Sequence, residues 1–170
     1  MEGARNDAKP AAMCDEGRPR GVEAGLTVIE LLVTGALIAT LASIVIPHYT
    51  SAQKKMRVTR AVTEIRSLEA DIGVYINDHG EPPDTLVQAG ISTPLDPWGN
   101  PYQYLKIING GPGANGHSRK DHSMVPVNSD YDLYSMGPDG KSQPAFTSQS
   151  SRDDIVRAGD GAYVGPVSDF

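Results

Sequence analysis

The chain has 170 residues with a formal net charge of -6, 39% hydrophobic and 6% aromatic residues, enough for one ordinary domain with a modest aliphatic core. The acidic balance argues against a nucleic-acid partner, and the 18 Gly and 13 Pro are too many for an all-helical bundle. One Cys excludes an intramolecular disulfide framework, a four-Cys zinc site and a CxxC redox pair, and four His leave little scope for a histidine metal centre. Residues 1–25 are polar, mixed in charge and interrupted by Gly3, Pro10, Gly17, Pro19, Gly21 and Gly25, without apolar periodicity, so they read as an unstructured leader. Cys14 follows Ala-Ala-Met but no apolar stretch precedes it, so it reads as a lone leader thiol and not as a lipoprotein cleavage site.

From Leu26 the composition changes to LTVIELLVTGALIATLASIVIP, with no charged residue between Leu31 and Ile46. About 21 residues at 1.5 Å each span roughly 30 Å, the thickness of a bilayer core. The segment is long for a signal peptide, and Ile44-Val45-Ile46 after Ala42-Ser43 is a poor cleavage context. Residues 26–47 therefore read as a transmembrane helix. Within it Glu30 needs explaining, because an ionised carboxylate in a membrane span is costly and marks function. Snorkelling to the headgroups would relieve it; otherwise the partner must be a cation from another chain, because the span has no Lys or Arg. A free α-amino group is a candidate if the chain is cut just before Leu26.

After Pro47, Val58, Ala61, Val62, Ile65, Leu68, Ile72, Tyr75 and Ile76 recur at three- and four-residue steps among Lys, Arg, Glu and Asp, which predicts an amphipathic helix that stops at Gly80. Together the two segments form a helical spine interrupted at Pro47. A loop from Glu81, a turn cluster at residues 94–101 anchored by Trp98, and strands at residues 102–108 and 130–135 follow. Residues 109–129, rich in Gly, Pro, Asn and Ser, read as a long hairpin loop, with His117 and His122 in it.

Asp139-Gly140 and the later Asp153-Asp154 form the one candidate metal constellation. Calcium takes six to eight hard oxygens on a loop free to wrap, and the intervening Gly, Pro and Ser allow wrapping. The spacing is not that of an EF-hand, and on the residues alone a solvated acidic loop accounts for it equally well. Catalysis has no motif behind it: GxSxG, HExxH and P-loop patterns are absent, and Asp130 and Asp132 read as exposed positions on one strand face. The chain is not expected to be an enzyme.

Gly25-Leu26-Thr27-Val28-Ile29-Glu30 and the apolar run after it resemble the processing signal of type IV pilins and type II secretion pseudopilins. LDPWGNPYQY, Asn77-Asp78-His79-Gly80 and Tyr131-Asp132-Leu133-Tyr134-Ser135-Met136-Gly137-Pro138-Asp139-Gly140 are similar to the major, G-type pseudopilins. The resemblance spans most of residues 26–155, with Leu26 where the family usually has Phe, a shorter stretch before Pro94, and a longer loop and tail. It implies a pilin-like α+β fold: a long N-terminal helix packed on a small antiparallel sheet with a calcium-binding loop. It implies a cleaved leader at 1–25, a transmembrane segment at 26–47 and a periplasmic domain at 48–170. By the same resemblance a prepilin peptidase cuts between Gly25 and Leu26 and methylates the new terminus, and Glu30 pairs with that amine in a neighbouring subunit. Asp139, Asp153 and Asp154, with carbonyls near residues 133–136, would hold the calcium. The implied function is polymerisation, as a homopolymer with minor pseudopilins on an inner-membrane secretion platform, into a periplasmic pseudopilus that helps export folded proteins. The alternatives are a type IV pilin for adhesion or motility and a membrane-tethered calcium-binding protein. Charge counting sets Arg18 and Arg20 before the span against Lys54, Lys55, Arg57 and Arg60 after it, which favours an outside amino terminus. The prepilin route places that terminus in the cytoplasm.

Overall fold

The computed structural model describes residues 25–92, 94–107 and 116–170. The leader up to residue 24, with Cys14, and residues 108–115 of the long loop lie outside the described residues. The chain divides into two compact units, residues 1–43 and 44–170.

One helix, α1 (Val28–His79), accounts for 52 residues. In the first unit its apolar side chains face outward, with Val28 78% exposed and Leu32 68%. None of its most apolar 18-residue window is buried. In the second unit the helix runs on through Pro47 without the expected interruption. Proline takes away the donor to the Ser43 carbonyl and crowds it, while on the following turn the carbonyl of Pro47 accepts from the hydroxyls of Thr50 and Ser51 at 3.0 and 2.9 Å. The predicted apolar face is real: Ala61, Ile65, Leu68 and Ile72 are buried. Gly80 ends the helix with φ of 81°, its N–H donating to the Ile76 carbonyl at 2.7 Å, the left-handed stop that glycine adopts without strain.

Onto this face packs a four-stranded antiparallel sheet in the order β1 (Gln103–Lys106), β2 (Tyr131–Ser135), β3 (Ile155–Ala158) and β4 (Tyr163–Pro166). Sequence periodicity predicts the first two strands. The tail beyond Asp154, read only as an extension, supplies the other two. They form a hairpin whose turn holds Gly159, Asp160 and Gly161 at positive φ.

Alternation along the strands makes two apolar layers. Tyr102, Tyr131, Leu133 and Ile155 join the helix face in one; Val127, Phe146, Val156, Ala158 and Val167 form the other. Trp98 is only partly buried, at the margin of the first. The long loop is less detached than its composition implies: Arg119, Val127 and Asn128 are buried.

Tyr102 donates its hydroxyl to Glu64 at 2.7 Å, tying β1's approach to the helix. Burial, then this bond to Glu64, holds its pKa far above 10; burial pushes Tyr131 up to about 12. Raised phenol pKa values give stability that is complete below the unfolded value of about 10 and is lost as pH rises toward the folded values, by up to about 1.4 kcal/mol per pH unit for each group. Melting midpoints measured across alkaline pH are expected to hold level to about pH 9.5 and then fall. Tyr102→Phe should flatten that fall.

Candidate functional site

The start of α1 is built locally. Thr27 caps the helix, accepting at Oγ1 from the Glu30 N–H at 3.2 Å, while its carbonyl accepts from Leu31 N–H at 3.2 Å. Thr-x-x-Glu is the spacing of a capping box, a second use for a carboxylate at Glu30. Glu30 is exposed among exposed apolar neighbours. Gly25 is under no local constraint: its φ is not in the left-handed region and a Cβ there would meet nothing within 4 Å. Any requirement for glycine at this position comes from outside the fold.

In the second unit, the LDPWGNPYQY turn docks on the loop after β2. Buried Asp96 accepts at Oδ1 from the N–H groups of Trp98 and Asn100, at 3.0 and 2.8 Å, and at Oδ2 from the Ser135 hydroxyl. Asn100 Nδ2 donates to the Gly137 carbonyl at 2.9 Å, and Ser135 Oγ accepts from the Gly137 N–H at 3.0 Å. The Asp, Asn and Gly of these two motifs are therefore one hydrogen-bonded joint. Gly137 has φ of +64°, and a Cβ there would stand 2.3 Å from the Asp153 carbonyl oxygen.

The three aspartates singled out as calcium ligands are placed differently from one another. Asp139 is exposed and accepts at Oδ1 from Lys141 N–H at 2.8 Å, a local turn. Asp153 is half-buried against Gly137. Asp154 is fully buried, and its Oδ2 accepts from Arg119 Nη2 and from the Ser142 hydroxyl. Asp154 Oδ1 is buried without a partner, as is Arg119 Nε. That carboxylate oxygen has no partner, but its group already pairs with a guanidinium. Among the described residues no three His, Cys, Asp or Glu side chains gather into a set able to hold a metal ion. Asp139, Asp153 and Asp154 are thus not gathered around one centre, the arrangement in which carboxylates and carbonyls hold a calcium ion.

Arg119 itself carries no motif. Its guanidinium also donates from Nη1 to the Ser142 hydroxyl and to the Gln143 carbonyl, and it lies 4.1 Å from the Tyr134 ring centre. A lone Arg in a polar loop gives no sequence signal that it will be buried. Arg157 gives one, because it interrupts the apolar run Ile155-Val156-Arg157-Ala158. It grips Asp130 through Nη1 and Nη2, both at 2.8 Å, and Glu69 on α1 through Nε at 2.9 Å. The expectation that Asp130 and Asp132 are exposed is corrected. Asp132 is buried, taking Arg119 N–H at 2.6 Å and Asn128 Nδ2 at 2.8 Å, and Asp130 is bound to Arg157. Both serve packing: Asp132 because a buried carboxylate must be satisfied, and half-buried Asp130 as the anchor of Arg157.

A membrane-length apolar helix that continues as the spine of a small antiparallel sheet defines a pilin-like protein. The chain is 30% identical over 145 residues to type II secretion system core protein G of Pseudomonas aeruginosa, covering 72% of this chain and 88% of the relative. It is 30% identical over 156 residues to the protein of the same name in Escherichia coli, covering 79% and 90%. The chain belongs to this family, the major pseudopilins. A fimbrial protein of Neisseria meningitidis matches at 27% identity over 89 residues, 52% of each chain. No family model matches, and no solved structure gives a significant match.

Gly137→Ala is expected to lose more than about 2 kcal/mol, because left-handed strain and a backbone clash act together. Gly25→Ala should leave the melting midpoint unchanged. Denaturant titration of both variants checks the contrast.

Proposed function

We propose that this chain is the repeating subunit of a type II secretion pseudopilus, assembled from the inner membrane into the periplasm to help export folded proteins. The observation that carries this reading is an exposed apolar helix with one carboxylate, at the fifth position after Gly25, in a chain of the core protein G family. A side chain costly to leave in lipid is useful if assembly neutralises it. A prepilin peptidase frees and methylates the amine of Leu26, and that amine meets Glu30 of a neighbouring copy. Minor pseudopilins and the inner-membrane platform are the other partners. The secretion reading is favoured over an adhesion fibre because the core protein G relatives cover far more of the chain than the fimbrial protein does. The role proposed is structural and not enzymatic, in keeping with relatives named as core proteins of a secretion system.

Two measurements test this. Glu30→Ala and Glu30→Gln should both insert into membranes and fold, yet give fibre yields at least about tenfold below the parent, because an unpaired amine in a low-dielectric layer is strongly unfavourable. Gln retains the capping-box acceptor and loses only the charge, so full assembly of Glu30→Gln would assign Glu30 to capping.

Gly25→Val should leave the leader uncut, read as the mass of the chain from membranes. A reporter fused after Asp78 should be periplasmic; a cytoplasmic reporter would mean that the charge count governs topology.

A further inference from the structure

The family resemblance places a cation in the loop between β2 and β3, yet the described residues put an arginine there. Asp154, at the entrance to β3, is the buried carboxylate that such an ion would need, and Arg119 holds it from a segment 35 positions earlier. Only 2% of the Arg119 side chain and none of Asp154 is exposed. The guanidinium ties its own loop to two other stretches of chain, Ser142–Gln143 and Asp154.

Backbone contacts follow the same joints. Lys120 N–H donates to the Pro144 carbonyl at 2.9 Å and Phe146 N–H to the Lys120 carbonyl at 3.0 Å. Ser151 Oγ accepts from Gln143 N–H at 2.9 Å and donates to the Gln143 carbonyl at 2.8 Å. Tyr134 and Phe146 flank the guanidinium at 4.1 and 5.2 Å from their ring centres, a setting that favours a planar cation over a compact hydrated one.

The two buried atoms without partners, Arg119 Nε and Asp154 Oδ1, are one donor and one acceptor of the same ion pair. The pair is joined through Nη2 and Oδ2 alone, so each member keeps one buried polar atom, and the unpartnered oxygen is balanced in sign by an unpartnered N–H.

We propose that Arg119 takes the place of a loop-closing divalent cation, so that the periplasmic domain of this chain folds and holds its acidic loop without calcium. Charge balance follows, because one fixed positive charge meets one buried carboxylate. Asp139 and Asp153, left outside the pair, stay hydrated or half-hydrated. The proposal concerns the fold of the second unit and stands whether or not the chain polymerises.

The test is thermal melting of the full chain in detergent micelles, with millimolar calcium or with chelator. The two midpoints are expected to coincide. A site filled at a hundredfold excess over its dissociation constant would raise the midpoint by roughly 5 to 10 °C, and such a rise would overturn the proposal. Asp139→Asn, which keeps the turn acceptor and removes the charge, should melt like the parent in both conditions.

A cycle of Arg119→Met, Asp154→Leu and the double variant supplies the second readout. Each single variant leaves a buried charge unpaired, so the double variant should melt above both. Losses that simply add would show that the two groups are not coupled and would also overturn the proposal.

Discussion

Everything in the second unit rests on covering one face of a helix. Ala61, Ile65, Leu68 and Ile72 repeat at the helical period and are all buried. A four-stranded sheet of four- and five-residue strands is what covers them. So small a sheet must bury both faces to be stable, and the side-chain alternation of β2 and β3 divides the work. Tyr131, Leu133 and Ile155 point to the helix, while Val156 and Ala158 point away into the second layer. Each layer contains one buried arginine. Arg157, on the helix side, ties β3 to Glu69 and Asp130; Arg119, on the other, ties the long loop to Asp154.

Long-range arginine clamps of this kind fix arrangement more than they add stability. Removing two charges from water costs about as much as their attraction returns, so a buried pair is weak evidence of net stabilisation. What it enforces is uniqueness, because any other placement of the loop leaves a bare charge inside. That suits a chain whose connecting segments are rich in Gly, Ser and Pro and which has no cysteine pair to staple them. The Asp96–Ser135–Gly137–Asn100 joint does the same for the turn before β1 with neutral donors. In both places a side chain from one loop satisfies the backbone or carboxylate of another.

The helix was legible because its signals are local: a period of 3.6, an apolar run and a glycine stop. So were β1 and β2, and the turn motif between α1 and β1. The β3–β4 hairpin was hidden. Ile155-Val156-Arg157-Ala158 does not alternate in polarity, and the partners that let Arg157 sit in an apolar run, Glu69 and Asp130, lie 88 and 27 positions away. Asp130 and Asp132 were misjudged for the same reason. The roles of Asp139, Asp153 and Asp154 could not be separated by sequence, where three aspartates look alike. Burial alone distinguishes them, and burial depends on where the Arg119 loop returns.

Glu30 is the counterpart of these clamped residues, a charge for which the described residues supply no cation. Between Leu31 and Ile46 there is no charged residue, and the next Lys or Arg after Glu30 is Lys54. In the second unit every deeply buried carboxylate has a partner carried by the same chain: Arg119 for Asp154, Asn128 and a backbone amide for Asp132, Ser135 for Asp96. The rule that buried charges come paired is thus obeyed wherever the fold closes on itself. In the apolar half of α1 the fold does not close over Glu30, which stays exposed, five positions after a glycine that the local fold does not need. A domain whose buried carboxylates are all engaged within the chain, attached to an apolar helix that carries an exposed carboxylate, has the division of charge that the proposed fibre subunit would use.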